Sequence, residues 1–392
     1  MFRFRRIDGG WVTADGTTLG ADNGIGVAAI LAVLEDRTLK HGPLEALFTA
    51  TEETGMDGAN GLEKGLLHGD ILLNLDSEEE GELYVGCAGG LDANMTFGYK
   101  AEPTPAGGYT AAKISVKGLK GGHSGIQIVC QRANANKVLF RFLNAAPCDV
   151  LLASVDGGGL RNAIPRESVA VVTIPADDVE GLQALVDDCN GLFREEFRGV
   201  EANICVSMER TDAPDQLVPE EIQDNVLDAV MACHDGVLRN IPSMPGIVET
   251  SSNLAIVNVT PEKAEVLILA RSSDEGMMDY ETTMLECCFN MAGMKVEYSG
   301  RYGAWQPNFD SPIVARMVDV YKQLFGEEAL VQVVHAGLEC SLIGQVYPKM
   351  DMVSFGPTLR SPHTPDERCH IPSVAKFWTF MKELLRQIPE KD

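Results

Sequence analysis

Basic residues are scarce in this chain of 392 residues. It has 32 Lys and Arg against 57 Asp and Glu, a formal net charge of −25. Such a surface repels phosphate backbones and anionic lipid headgroups, which argues against nucleic acid and membranes as partners. No apolar run approaches the roughly 18–20 residues needed to cross a bilayer. The start, Met-Phe-Arg-Phe-Arg-Arg, is basic but runs into Ile7-Asp8-Gly9-Gly10 with no apolar core, so it does not read as a secretory signal. The ten cysteines form no CxxC pair, and only Cys287 and Cys288 are adjacent. In a long chain with no signal, they read as reduced cytosolic thiols, mostly packed in the core. A zinc–thiolate site is therefore not expected.

Several catalytic signatures are also missing. HExxH and GxxxxGK[ST] do not occur. Gly122-His-Ser-Gly125 is not a nucleophile elbow, because Ile126 stands where a second glycine is required. Gly118, Gly121, Gly122 and Gly125 do not fit the dinucleotide fingerprint. Cys340 and His335 lack a third, orienting group and read as packing.

What is present is an ordinary globular composition, 45% hydrophobic and 23% charged. At roughly 150 residues per domain, the length predicts two to three domains. Ile25, Val27, Ile30, Leu31 and Leu34 predict a largely buried helix. Leu44-Glu-Ala-Leu-Phe-Thr-Ala-Thr51 reads as a buried strand, as does Asp70-Ile-Leu-Leu-Asn-Leu-Asp76, and residues 350–355 read as a strand stopped by Gly356-Pro357. Residues 313–325 and 372–388 have helical spacing. Strands alternating with helices imply an α/β domain with a mainly parallel sheet, built from residues 1–109 and 296–392.

Between them, residues 110–295 read as an inserted α+β domain. The order strand 111–116, helix 131–145, strands near 150–155 and 168–174, helix 180–196 and strand 202–208 is the ferredoxin-like unit. From about residue 218, a helix, two strands, a helix and a strand suggest an incomplete second copy.

The chemistry gathers at strand ends. Asp22 precedes the helix at 24–34, Glu52 and Glu53 close the strand 44–51, and Asp76 closes the strand 70–76. In an open parallel sheet these ends border the binding crevice. Acidic groups there repel one another unless a cation lies between them. His363, in Ser361-Pro-His-Thr-Pro-Asp-Glu367, would complete a mixed N/O set for Zn²⁺ or Mn²⁺. One of the paired glutamates can hold metal while the other stays free as a general base. The competing reading is that Glu52 and Glu53 are solvated surface and Asp22 a helix cap. Glu78, Glu79 and Glu80 read as a solvated loop without chemistry.

The motifs Gly-Ala-Asp-Asn-Gly-Ile-Gly (20–26), Thr-Glu-Glu-Thr-Gly-Met-Asp-Gly (51–58), Asn-Leu-Asp-Ser-Glu-Glu-Glu-Gly-Glu (74–82) and Ser-Pro-His-Thr-Pro-Asp-Glu (361–367) resemble one family. It is the aminoacyl-histidine dipeptidases of the two-zinc M20 metallopeptidases. Gly-Leu-Lys-Gly-Gly-His-Ser-Gly (118–125), Gly-Leu-Arg-Asn-Ala-Ile-Pro (159–165), Val-Glu-Thr-Ser (248–251) and His-Ala-Gly-Leu-Glu-Cys (335–340) extend the resemblance along the chain in order. It implies a zinc exopeptidase-like catalytic domain with the inserted domain as a lid. It implies hydrolysis of dipeptides, with Xaa-His as the substrate class, and two Zn²⁺ per subunit, or Mn²⁺ or Co²⁺ in their place.

By the same resemblance, Asp22 bridges the metals, Glu53 and His363 complete one site, and Asp76 belongs to the other. Glu52 is the general base. His123 polarises the substrate carbonyl, while Asn162 and Arg271 lie near the substrate. Arg271 suits a terminal carboxylate. A homodimer is left open. The family also carries an earlier His-x-Asp motif that this sequence lacks, within roughly a hundred residues expected to supply further strands and a helix of the sheet. One metal would then lack a ligand. Either the start lies upstream or the gene is a decayed fragment, and the retained motifs lead one to expect a misplaced start or a recent truncation. Two rival functions are also expected, a related deacylase or carboxypeptidase and an inactive metal-binding remnant.

Overall fold

The computed structural model describes residues 4–7 and 9–388; Met1–Arg3 of the basic start and Asp8 lie outside the described residues. The chain divides into two compact units, Met1–Cys87 with Gly303–Asp392, and Ala88–Tyr302. The sequence reading places the divisions at 109/110 and 295/296. The difference at the first boundary comes from strand Gly89–Gly98, which is hydrogen-bonded into the inserted sheet.

The discontinuous unit carries a mixed four-stranded sheet in the order Leu330–Val334, Glu82–Cys87, Asp351–Ser354, Ile71–Asn74. The two outer pairings are parallel, and a single antiparallel pair, Ser354 with Tyr84, joins the middle. Helix Pro312–Phe325 starts on a Ser311 side chain that accepts from the Val314 amide, has Pro312 in its first turn, and stops at Gly326 with φ 71°. These are the start and stop signals that fix a helix locally. Helix Ile371–Gln387 packs beside it, burying Phe377, Phe380, Met381 and Leu384. A second small sheet is antiparallel, in the order Phe4–Ile7, Trp11–Ala14, Arg368–His370, Leu359–Arg360. It pins both ends of the loop that contains His363.

Two expectations need correction here. Residues 44–51 form no strand, and Leu44 and Phe48 are exposed. A strand needs a neighbour to satisfy its backbone, and among the described residues none pairs with this stretch. Helix Ala21–Glu35 exists but is not largely buried. Ala21, Gly26, Ala29 and Val33 are inside, whereas Val27, Leu31 and Leu34 are 42%, 49% and 55% exposed.

The inserted unit is built on one nine-stranded antiparallel sheet. Its first half has the spatial order Cys205–Arg210, Tyr109–Lys117, Ser168–Pro175, Leu151–Gly157. With helices Ala135–Asn144 and Val179–Glu196 this is the ferredoxin-like order 4-1-3-2. The other half repeats it: Lys295–Tyr302, Gly89–Gly98, Lys263–Ser272, Val248–Val259. The second copy is therefore complete. Its first strand precedes the whole first copy in the chain, so reading forward from residue 218 misses it. The copies join through Leu151–Gly157 and Val248–Val259. Their helices bury one continuous core that includes Phe140, Phe142, Phe193, Leu254 and Phe289. Gly158, with φ +79°, lets the chain pass close to the Ala255 carbonyl, which would sit 1.9 Å from any Cβ there.

Candidate metal centre

Asp22 sits in the first turn of helix Ala21–Glu35 but has extended backbone angles, φ −88° and ψ 108°, and a cis peptide bond to Asn23. Glu52 and Glu53 open a short turn between Thr51 and Met56, both of which have positive φ. Ser361 and His363 are also left-handed. Four of the five non-glycine residues with positive φ among the described residues thus lie in these two segments. Such conformations cost of order 1–3 kcal/mol each and persist where the surroundings over-determine them, typically at functional sites.

Three side chains converge. His363 Nε2 lies 2.8 Å from Asp22 Oδ2 and 3.0 Å from Glu53 Oε2. One ligand atom from each of Asp22, Glu53 and His363 falls within 4.8 Å of the others, the one such group of three among the described residues. Asp76, half-buried just beyond strand Ile71–Asn74, shares a side-chain hydrogen bond with Asp22. Asp22 therefore makes contact with both His363 and Asp76.

The electrostatics are those of a site short of positive charge. Burial, followed by Asp22 and Glu52, pushes the Asp76 carboxyl up to about 8. Burial, then Glu53, Glu339 and Asp22, pushes Glu52 up to about 7. Glu53 is raised by burial and Asp22, with His363 pulling the other way. Burial works against a charge on His363, but its hydrogen bond to Asp22 and the surrounding carboxylates raise its pKa overall. One imidazole cannot neutralise this many carboxyls. The donor set, a histidine nitrogen with carboxylate oxygens at separate chain positions, fits a divalent cation of the Zn²⁺ or Mn²⁺ kind.

The run Glu78–Glu80 is not the solvated loop its letters suggest. Glu78 is raised by burial and by Asp22, so it faces the cluster. Glu79 takes both guanidinium nitrogens of Arg360, and Glu80 pairs with Lys376 at 3.1 Å and accepts from Tyr321. The sequence offers no local signal for these partners, which lie more than two hundred positions away. Glu339 is also near, since it acts on Glu52; it is buried and accepts from Thr49 Oγ1 at 2.7 Å. Cys340 is wholly buried, its thiol pushed well up by burial, and it accepts from Asn74 Nδ2 at 3.2 Å.

The other predicted residues gather in the inserted unit. His123 and Ala163 pair across two short strands, and the Ser124 amide donates to the Asn162 carbonyl at 2.8 Å. His123 Nδ1 accepts from the amides of Gly125 and Ile126, both at 3.1 Å. Burial, then the Arg271 charge, lowers its pKa to about 4. The ring is therefore neutral with its proton on Nε2, a donor held ready for an oxygen. Arg271 is buried on strand Lys263–Ser272 and donates to Tyr302 Oη at 2.7 Å. Asn162 is exposed in its turn. Buried Asn253 holds that turn by donating to the carbonyls of Arg161 and Ala163 at 3.0 and 2.9 Å. Neither Asn253 nor Tyr302 is visible as a supporting residue in the sequence, because both act from distant strands.

The profile of peptidase family M20/M25/M40 matches residues 2–387. The chain is 46% identical over 387 residues to the cytosol non-specific dipeptidase of Escherichia coli, covering 98% of this chain and 80% of that protein. The crystal structure of aminoacylhistidine dipeptidase from Vibrio alginolyticus is similar over 100% of this chain and 80% of that one, with a TM-score of 0.91 and 46% identity. The aminopeptidase PepT of Bacillus cereus shares the fold at a TM-score of 0.52 and 15% identity, over 98% of this chain and 76% of that one.

Proposed function

The chain belongs to peptidase family M20/M25/M40, and from that premise we propose that it hydrolyses dipeptides, those with a C-terminal histidine among them, with a divalent metal in the cytoplasm. The observation that carries this reading is the convergence of Asp22, Glu53 and His363 ligand atoms within 4.8 Å beside Glu52. Asp22 would be the shared ligand, Glu53 and His363 would hold the metal at one position, and Asp76 would hold it at the other. Zn²⁺ is the resident ion, with Mn²⁺ and Co²⁺ tolerated by the same donors.

The chemistry such a cation supplies when bound is Lewis acidity toward a carbonyl and toward water. The chain's own residues do the rest. Glu52, raised to about 7, takes the proton of the attacking water and returns it to the leaving amine. His123 donates from Nε2 to the developing oxyanion. Arg271 supplies positive charge for the substrate's terminal carboxylate, and Asn162 orients the substrate.

A panel of Ala-His, Ala-Ala, a tripeptide and N-acetyl amino acids, assayed with the metal-loaded protein, tests this. Cleavage of dipeptides is expected. Cleavage of the acylated amino acids without any dipeptide would move the reading to a deacylase. The relatives are described as non-specific in one case and as acting on aminoacyl-histidine in the other. The ratio between Ala-His and Ala-Ala therefore reads specificity directly. A second reading, a chain that binds metal without turnover, has one observation in its favour. Glu52 and Glu53 follow a stretch, 44–51, that has no strand partner among the described residues. Metal binding with no cleavage across the panel would select it.

A further inference from the structure

We propose that Glu367 is a positioning residue that clamps two ligand-bearing segments of the metal centre together; this rests on the metal-site reading above. Glu367 is 1% exposed. Its Oε2 accepts from the Gly20 amide at 2.8 Å, and its Oε1 accepts from the amides of Ala21 at 2.8 Å and Asp22 at 3.2 Å. Asp22 and Asn23 break the helical angles at the start of Ala21–Glu35, and the regular turns beyond them are capped by Asn23, whose Oδ1 accepts from the Gly26 amide at 3.0 Å. The amides of Gly20, Ala21 and Asp22, ahead of the regular helix, still need an acceptor. Here a residue 346 positions away from Ala21 supplies it.

The same residue anchors the other segment. Glu367 lies four positions after His363, its amide donates to the Thr364 carbonyl at 3.1 Å, and its carbonyl accepts from buried Thr13 Oγ1 at 2.7 Å. One side chain therefore fixes the backbone of Asp22 while its own backbone fixes the loop that presents His363. The 2.8 Å approach of His363 to Asp22 follows from that clamp. Glutamine cannot replace it. The three amides point at two oxygens, and an amide group turns one of those oxygens into a donor facing donors. Aspartate keeps the charge but is one methylene short.

The test is a Zn²⁺ titration against a competing chelator for the wild type, Glu367→Gln, Glu367→Asp and Leu384→Ala. The last removes a buried side chain from helix Ile371–Gln387, in the same unit but outside the cluster. Loss of an outer partner that orients a metal ligand commonly weakens binding 10–100-fold, the range expected for both Glu367 variants. Leu384→Ala is expected to lower the melting temperature yet leave the affinity of the folded protein unchanged. The absorption bands of the Co²⁺-loaded protein, which report ligand geometry, should move in the Glu367 variants and stay put in Leu384→Ala. If Glu367→Gln does not fold, Glu367→Asp carries the comparison. Affinities within about twofold of the wild type for the folded Glu367 variants would overturn the proposal. So would an equal loss in Leu384→Ala, which would reduce the effect to stability. A wild type without saturable Zn²⁺ binding would instead sink the metal-site reading beneath it.

Discussion

Replacing Asp76 by asparagine should stabilise the metal-free protein near pH 7.5, although it removes a proposed metal ligand. Burial, then Asp22 and Glu52, raises Asp76 from its ordinary 3.8 to about 8. The folded chain therefore holds a proton that the unfolded chain releases, and stability falls as pH rises from about 4 toward 8. Each pH unit above the unfolded value costs about 1.4 kcal/mol, so the ceiling at pH 7.5 is about 5 kcal/mol. Sharing with Asp22 and access of water to a half-buried group reduce this to about 2–3 kcal/mol. Asparagine needs no proton, and its amide donates to Asp22 as the protonated acid does. At about 2–4 °C per kcal/mol for a unit of this size, the variant should melt about 5–10 °C above wild type at pH 7.5 in chelator. At pH 4 the two should coincide. Differential scanning calorimetry at both pH values, with and without Zn²⁺, is the assay. Added metal should raise the wild-type melting temperature more than the variant's. A variant that melts below wild type at pH 7.5, or a difference that is the same at both pH values, would refute the electrostatic account.

Two further outcomes follow from the same geometry. Glu52→Gln keeps the shape of the side chain but removes the proton acceptor, so kcat on dipeptides should fall by about 10²–10⁴ while Zn²⁺ affinity stays near wild type; a loss below about tenfold in stopped-flow or steady-state assays would remove Glu52 from the role of base. Gly158→Ala forces a Cβ against the Ala255 carbonyl, 1.9 Å away, at a φ of +79°, and should cost the inserted unit about 2–4 kcal/mol in urea unfolding; an unchanged midpoint would contradict the close approach.

How much of this was legible in the sequence depends on the range of the interaction. Helices such as Pro312–Phe325 carry their own caps and spacing, so their limits are readable. Asp22, Glu52, Glu53 and His363 are legible as candidates because each stands within three positions of a glycine or proline that marks a turn, whereas Asp76 is legible only as the acidic end of its apolar run. Residues 44–51 mislead because an apolar run reports burial potential, whereas strand formation also requires a partner that no local pattern names. The Glu78–Glu80 run reads as surface because Arg360, Lys376 and Tyr321 arrive from the far end of the chain. Gly89–Gly98 is invisible as the first strand of the second repeat because the whole first repeat interrupts it. Glu367 is hidden for the same reason: its three amide partners are distant in sequence and adjacent only in the fold.

In the proposed centre Asp22, Glu53 and His363 hold a divalent cation beside Glu52. Elemental analysis after chelation, Zn²⁺ reloading and desalting tests it most directly, comparing wild type with His363→Ala. Wild type is expected to retain at least one Zn²⁺ per chain, and His363→Ala, folded to the same extent by circular dichroism, to retain less, having lost a ligand of the position it shares with Glu53. A wild type that keeps no metal, or a His363→Ala chain that keeps as much as wild type, would contradict it.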